Sequence, residues 1–228
     1  MKTTKLTNEA WKQNTRLRSR LYPNRLLDNS ACICNEKLSA NFRHIVSCKK
    51  FLQYRSVLHN AVRDLTYEMF KSYNFSCKVE PLLRHYRDNI LFDSRHSDLI
   101  APFVDSSQAV VDYTTVDPFA SIYRDDVLVS SNGHLNKAEV RKRDKYAELL
   151  NDLNRNFYSK FSFVPFSFPI FGNIGQSGLN FLNDFDNLCR SSGKNFAGYL
   201  WKNRVIFALY RSVPKYLSLM MSKLYKNS

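Results

Sequence analysis

The sequence predicts an α/β domain with a small Cys/His module in front of it. Two apolar, β-rich runs, residues 98–104 and 108–116, lie on either side of a turn signal at residues 105–107, which is typical of a hairpin. Apolar residues recur at helical spacing over residues 51–73 and 135–157, which predicts two long helices packed on the strands. A chain of 228 residues with 44% hydrophobic residues can bury a substantial core.

The Cys/His module is predicted from a C-x-C-x9-H-x3-C array. Its four members are Cys32, Cys34, His44 and Cys48. Three thiolates and one imidazole suit tetrahedral zinc, and four protein ligands leave no open position, so the zinc would be structural. The alternative is a set of small buried thiols with a surface histidine. We therefore expect a basic arm and zinc module in residues 1–50 and the main domain in residues 51–228.

The remaining elements follow from local patterns. Pro81 suits the first turn of a shorter helix, and residues 179–189 and 196–212 have helical periodicity. The aromatic segment 161–172 contains two prolines, which predicts either an edge strand or irregular structure.

The hairpin brings two carboxylates together. If residues 105–107 form its loop, Val104 pairs with Gln108, and Asp98 and Asp112 become diagonal cross-strand neighbours on one face. Both carboxylates could then bind one hard cation. A two-residue loop would instead place the two aspartates on opposite faces.

Two lysines on the helix that follows could complete this site. Lys142 lies one turn before Tyr146, and Lys145 lies one turn before Leu149, so both flank the core face of the helix near its beginning. A helix packed on the sheet could present either ammonium group to the aspartates. In the alternative interpretation both lysines are solvated surface residues.

The charge of the chain favours a polyanionic partner. The net charge is +14, and residues 1–60 contain twelve Lys/Arg against three acidic residues. This excess suits a phosphate backbone, although a basic surface without a partner is the alternative. The cationic start is not followed by an apolar core, and the sequence contains no run of about eighteen apolar residues. We expect a nuclear or cytoplasmic protein that is neither secreted nor membrane-bound.

The order of these motifs resembles the C-terminal region of non-LTR retrotransposon reverse transcriptase proteins. That region carries a CCHC zinc module and a restriction-like (PD-(D/E)XK) endonuclease, and the similarity spans residues 32–215. The matching positions are the array Cys32, Cys34, His44 and Cys48, then Asp98, Asp112, and the K-x2-K-Tyr sequence at Lys142, Lys145 and Tyr146.

The chain also departs from the pattern of that family. Ser97 stands where the family has proline, and the lysine that most PD-(D/E)XK nucleases have two residues after the second aspartate is replaced by Thr114. In the retrotransposon branch a displaced lysine on the next helix is thought to serve, which matches Lys142 or Lys145. The polymerase that normally precedes this region is absent from the sequence.

The resemblance implies a mixed sheet of restriction-endonuclease type and metal-dependent nicking of DNA. Asp98 and Asp112 would bind Mg²⁺ or Mn²⁺, Lys142 or Lys145 would assist, and Zn²⁺ would be structural. DNA is the expected partner, RNA is an alternative one, and no small-molecule cofactor is expected. Two other hypotheses remain open: a zinc-containing nucleic-acid-binding module whose nuclease site has decayed, and a helical adaptor with a basic surface.

Overall fold

The computed structural model has a mixed four-stranded sheet between helices. It describes residues 32, 34, 35, 48, 52–81, 97–103, 106–117, 120–123, 132–156, 160–169, 173–194, 200–201 and 203–209. The elements are α1 (Leu52–Ser72), β1 (Lys78–Val79), β2 (Leu99–Pro102), β3 (Gln108–Val116), a 3₁₀ turn (Ser121–Tyr123), α2 (Gly133–Asn156), β4 (Phe161–Pro169) and α3 (Gln176–Ser191). Residues 200–201 and 203–209 are also helical.

This architecture confirms the predicted α/β class and the mixed sheet. Both long helices begin and end within two residues of the predicted limits, and the sheet argues against a purely helical adaptor. The shorter helix predicted from Pro81 and the chain after Pro214 lie outside the described residues. Within the described part of the chain, no helix combines the length and the apolar character needed to cross a membrane.

The sheet has the strand order β1-β2-β3-β4. The first two pairings are antiparallel, and β3 pairs with β4 in parallel along its whole length. Parallel neighbours need a crossover, which α2 provides between β3 and β4. In the described sheet β4 is an edge strand, which accommodates Pro165 and Pro169 because proline has no N–H to donate to a further strand.

The predicted hairpin register is wrong by two residues. Gln108 pairs with Pro102, whereas the sequence predicted pairing with Val104. The turn closes earlier than predicted, because the Phe103 N–H donates to the Ser107 carbonyl oxygen at 2.9 Å. Ser106, at φ 60°, provides the left-handed residue that commonly ends such a loop. A shift of two residues leaves the side chains of the paired residues, 99–102 and 108–111, on the predicted faces of their strands.

The two faces of the sheet pack against different helices. Alternate residues of β3, such as Val111 and Tyr113, join a core with α1 and α3. The intervening residues face α2, where Val110 packs near Tyr146 and Leu149. The strict alternation of a strand therefore determines which helix each polar residue of β3 meets.

A buried carboxylate joins α2 to β4 and α3. Glu139 of α2 is 3% exposed and accepts hydrogen bonds from Ser167 Oγ at 2.9 Å and from Ser177 Oγ at 2.7 Å. It also accepts a hydrogen bond from the Ser177 N–H, at 3.3 Å, in the first turn of α3. An N-cap side chain often accepts such an N–H group, but the N-cap residue of α3 is Gly175, which has no side chain. These contacts fix the rotation of α2, on which Lys142 lies three residues further along.

Candidate metal and nucleic-acid site

Asp112 and Lys142 form an ion pair between β3 and α2. Lys142 Nζ lies 2.8 Å from Asp112 Oδ1 and 2.9 Å from Oδ2. The Asp112 side chain is 8% exposed and that of Lys142 is 27% exposed, so the pair is largely shielded from water. Its position follows from the core, because Tyr146, one turn after Lys142, stacks on Phe163 of β4 with ring centroids 4.4 Å apart.

The structure distinguishes the two candidate lysines. It is Lys142 that binds Asp112, whereas Lys145 is exposed and its ammonium lies 5.5 Å from the centroid of the Tyr146 ring. A helix turns by about 100° per residue, so residues three apart point in directions that differ by about 60°. That difference places one lysine over the sheet and the other toward solvent.

Asp98 lies immediately before β2 and is held at one oxygen. Its Oδ2 accepts the Tyr113 N–H at 2.6 Å and lies 3.1 Å from His59 Nε2. Because a carboxylate oxygen only accepts, Nε2 of the imidazole carries the proton of this second bond. In the described part of the chain no group donates a hydrogen bond to Oδ1 of Asp98, and the side chain is 21% exposed.

Asp98 and Asp112 are neighbours across the hairpin. Leu99 pairs with Val111, so Asp98 and Asp112 come next along the two strands. The ladder is irregular at this point, because the Asp98 N–H donates to the Val111 carbonyl oxygen at 3.0 Å. The two carboxylates bind partners on different helices, α1 and α2, and therefore lie at the edge between the two faces of the sheet, whereas the sequence predicted a single shared face.

His59 is a site residue that the sequence did not identify. Its ring meets the Tyr113 ring edge-on at a centroid distance of 6.1 Å, and its Nδ1 lies 3.1 Å from Asn60 Oδ1. Burial lowers the pKa of His59, but the hydrogen bond and charge of Asp98 outweigh burial and raise this pKa above its usual value. His59 and Asp98 are 39 positions apart, so no local pattern could have paired them.

An open groove of about 410 Å³ lies beside the two aspartates, and His59 and Lys142 line it. Its walls are Arg55, Ser56, His59 and Asn60 of α1, residues 113–115 of β3, and Lys142 of α2. The groove forms where β3 continues beyond its antiparallel partner, since β2 pairs only with residues 108–111. Arg55 is held at one end of the groove by Asp117, with its NH2 at 3.2 Å from Oδ2. Three basic side chains therefore line the groove, and each of them lies against a carboxylate beside it: Arg55 against Asp117, His59 against Asp98 and Lys142 against Asp112.

Three of the four predicted zinc ligands lie together. The Sγ atoms of Cys32, Cys34 and Cys48 lie within 4.8 Å of one another, and those of Cys32 and Cys48 are 3.5 Å apart. Asn35, at φ 69°, donates its N–H to the Cys32 carbonyl oxygen at 2.7 Å, which closes a tight turn around Cys34. All three thiols are free of disulfides. The fourth predicted ligand, His44, lies outside the described residues.

The cysteine cluster fits a tetrahedral metal. Two thiolates at about 2.3 Å from a zinc ion in tetrahedral geometry would lie about 3.8 Å apart. The observed separation of 3.5 Å between Cys32 and Cys48 is close to that value. Burial raises the pKa of the Cys32 thiol to about 12. In the described residues this is the only set of three His, Cys, Asp or Glu side chains with donor atoms this close, so Asp112 does not join His59 and Asp98 in such a set.

Comparisons with known proteins do not assign the chain to a family. No protein-family model matches the sequence, and no curated protein matches it either. The geometry of the groove and of the cysteine cluster therefore carries the functional argument.

Proposed function

We propose that this chain is a metal-dependent DNA endonuclease that nicks DNA, on a sheet of restriction-endonuclease type. The observation that carries the proposal is the Asp112–Lys142 pair beside Asp98 at an open groove. Two carboxylates and a lysine are the groups that metal-assisted phosphodiester hydrolysis needs. The resemblance to the endonuclease region of non-LTR retrotransposon proteins implies the same two aspartates, with either Lys142 or Lys145 as the lysine.

The two aspartates suit a hard divalent cation. Asp98 has one oxygen without a hydrogen bond from the described residues, and Asp112 is paired with the ammonium group of Lys142. Asp98 and Asp112 would hold Mg²⁺ or Mn²⁺, which supplies positive charge that polarises the scissile phosphate and lowers the pKa of a bound water. Carboxylate oxygens are the ligand type that such cations prefer.

Lys142 would have a second role if a cation balanced the negative charge of Asp112. In the present arrangement its ammonium satisfies both oxygens of Asp112. When a cation balances this carboxylate, the ammonium becomes available to a phosphate oxygen at the groove wall. Lys142 would then stabilise the charge that develops as water attacks phosphorus and the P–O bond to the leaving oxygen breaks. The leaving oxygen takes up a proton and becomes, as the resemblance implies, a 3′ hydroxyl, while the phosphate remains on the 5′ end.

The cysteine cluster and the basic chain around it would secure the substrate. Cys32, Cys34 and Cys48, with His44 as fourth ligand, would hold a structural Zn²⁺. The positive charge concentrated in residues 1–60 would contact the DNA backbone and position it without reading bases.

Nicking of supercoiled plasmid tests this proposal. With Mg²⁺ or Mn²⁺ the purified chain should convert supercoiled circles to relaxed circles, and Asp112→Ala should reduce the rate at least about 100-fold, because metal assistance contributes several kcal/mol. Lys142→Ala should also lose most of the activity, whereas Lys145→Ala should retain it. Lys137→Ala, which changes another exposed lysine of α2, is the matched control. Relaxed circles that persist in Asp112→Ala would contradict the assignment.

A decayed nucleic-acid-binding module is the second candidate. Two observations favour it. Thr114 occupies the position where most PD-(D/E)XK nucleases have a lysine, and Lys142 contacts both oxygens of Asp112, as expected where a carboxylate no longer binds a metal. This candidate predicts that the parent and Asp112→Ala proteins both bind DNA with the same steep dependence on salt concentration and that neither nicks it.

A further inference from the structure

We infer that His59 is a positioning residue for the metal site: it holds Asp98 by Oδ2 so that Oδ1 is presented to the cation. This inference rests on the proposed function and adds a residue to the site. None of the sequence motifs described above includes His59, and the structure supplies its partner, Asp98.

The position of Asp98 in the chain explains why it needs such a residue. Asp98 precedes the first residue of β2, and the ladder is irregular there, so strand pairing does not by itself fix its side chain. Two contacts orient the carboxylate, the Tyr113 N–H at 2.6 Å and His59 Nε2 at 3.1 Å, and both reach Oδ2. Two donors on the same oxygen limit rotation about the Cβ–Cγ bond and leave Oδ1 as the oxygen available to a ligand.

His59 is itself held in place. It lies on α1, and the edge-on contact with the Tyr113 ring and the contact with Asn60 fix the plane of the imidazole. A histidine binds a metal through an unprotonated ring nitrogen, but Nε2 donates to Asp98 and Nδ1 already lies 3.1 Å from Asn60 Oδ1. The geometry therefore favours action through Asp98 over direct coordination of the cation.

The arrangement is asymmetric across the sheet, which gives each aspartate a different role. Lys142 donates to both oxygens of Asp112, so a cation there would compete with its ammonium group, whereas His59 leaves one oxygen of Asp98 open. Asp98 would therefore be the less hindered of the two ligands. Hydrogen bonds to ligand side chains of this kind typically change metal affinity or activity by 10–100-fold when they are removed.

Mn²⁺ binding, measured without DNA, tests the inference. Free Mn²⁺ would be quantified by electron paramagnetic resonance during titration of the zinc-loaded full chain and its His59→Ala and His59→Gln variants. His59→Ala should weaken Mn²⁺ binding by about 10-fold or more, and His59→Gln, which places an amide donor near the position of Nε2, should recover most of the affinity. Val57→Ala, an exposed position on the same helix, is the matched control and should bind as the parent does.

Nicking assays at varied Mn²⁺ separate positioning from a structural defect. In His59→Ala the Mn²⁺ concentration for half-maximal nicking should rise about as much as the dissociation constant, while the rate at saturating Mn²⁺ changes less. Pulsed resonance spectra of the bound Mn²⁺ should contain no coupling to an imidazole nitrogen. Such a coupling would overturn the inference by making His59 a ligand, and unchanged affinity in His59→Ala would overturn it as well.

The outcome distinguishes this inference from the proposed function. If the parent binds Mn²⁺ and nicks DNA but His59→Ala binds Mn²⁺ equally well, only the role of His59 is lost. If the parent neither binds Mn²⁺ at the site, as judged against Asp98→Asn, nor nicks DNA, the endonuclease proposal fails and the inference fails with it.

Discussion

Replacing Lys142 by methionine tests whether the buried carboxylate of Asp112 depends on its counter-charge. Methionine keeps most of the aliphatic stem but removes the ammonium, so both oxygens of Asp112 lose their partner in a site where this side chain is only 8% exposed. Breaking a buried ion pair by removing one partner typically costs about 3–5 kcal/mol. Because Lys142 is 27% exposed and water can partly replace it, we expect a loss of about 2 kcal/mol in the free energy of unfolding.

A double-mutant cycle isolates the pair. Urea unfolding of the parent, Lys142→Met, Asp112→Asn and the double variant gives the four free energies. In the double variant no charge is left uncompensated, so we expect it to be more stable than Lys142→Met, with a coupling of at least about 1 kcal/mol. A coupling near zero, or a Lys142→Met protein as stable as the parent, would refute the view that the ammonium compensates Asp112.

The same variants report on metal binding without any nuclease assay. A cation held by Asp98 and Asp112 should replace the missing ammonium, so Mn²⁺ should stabilise Lys142→Met more than it stabilises the parent. At about one hundred times the dissociation constant, ligand binding adds about 2.7 kcal/mol to the free energy of unfolding. The double variant, which lacks the carboxylate, should gain much less. Equal Mn²⁺ effects on all four proteins would argue against a cation site at these two aspartates.

Two further predictions concern the scaffold and the cysteine cluster. Gly175→Ala should lower the free energy of unfolding by about 1–3 kcal/mol, because a Cβ there would lie 2.0 Å from Glu139 Oε1. Gly193→Asn should be close to neutral, because position 193 lies in open space and asparagine tolerates its φ of 71° better than most residues do. Equal losses of stability in the two variants would contradict this account. Elemental analysis should find one zinc per chain in the parent and in Cys77→Ser, and little zinc in Cys48→Ser. Zinc retained in Cys48→Ser would show that the cysteine cluster is not the zinc site.

The elements of the domain were predictable because their signals are local. Helical spacing of apolar residues predicted α1 and α2, and the apolar, β-rich run at residues 108–116 beside a turn signal predicted β3. In any strand successive side chains point to opposite faces, so Asp112 and its immediate neighbour Tyr113 lie on opposite faces of the sheet. The spacing of the cysteines predicted a cluster, and Cys32, Cys34 and Cys48 do lie together, although a bound zinc remains a prediction.

The arrangement of the site was decided by tertiary structure. The register of the hairpin depended on the left-handed backbone conformation of Ser106. Serine has no strong preference for that conformation, so the sequence did not indicate it. The choice of Lys142 over Lys145 depended on the rotation of α2, which the packing of Tyr146 on β4 sets. His59 meets Asp98 only because α1 crosses the end of the hairpin. Periodicity in the sequence determines which side of an element a residue occupies, whereas the packing between elements determines which residue it contacts.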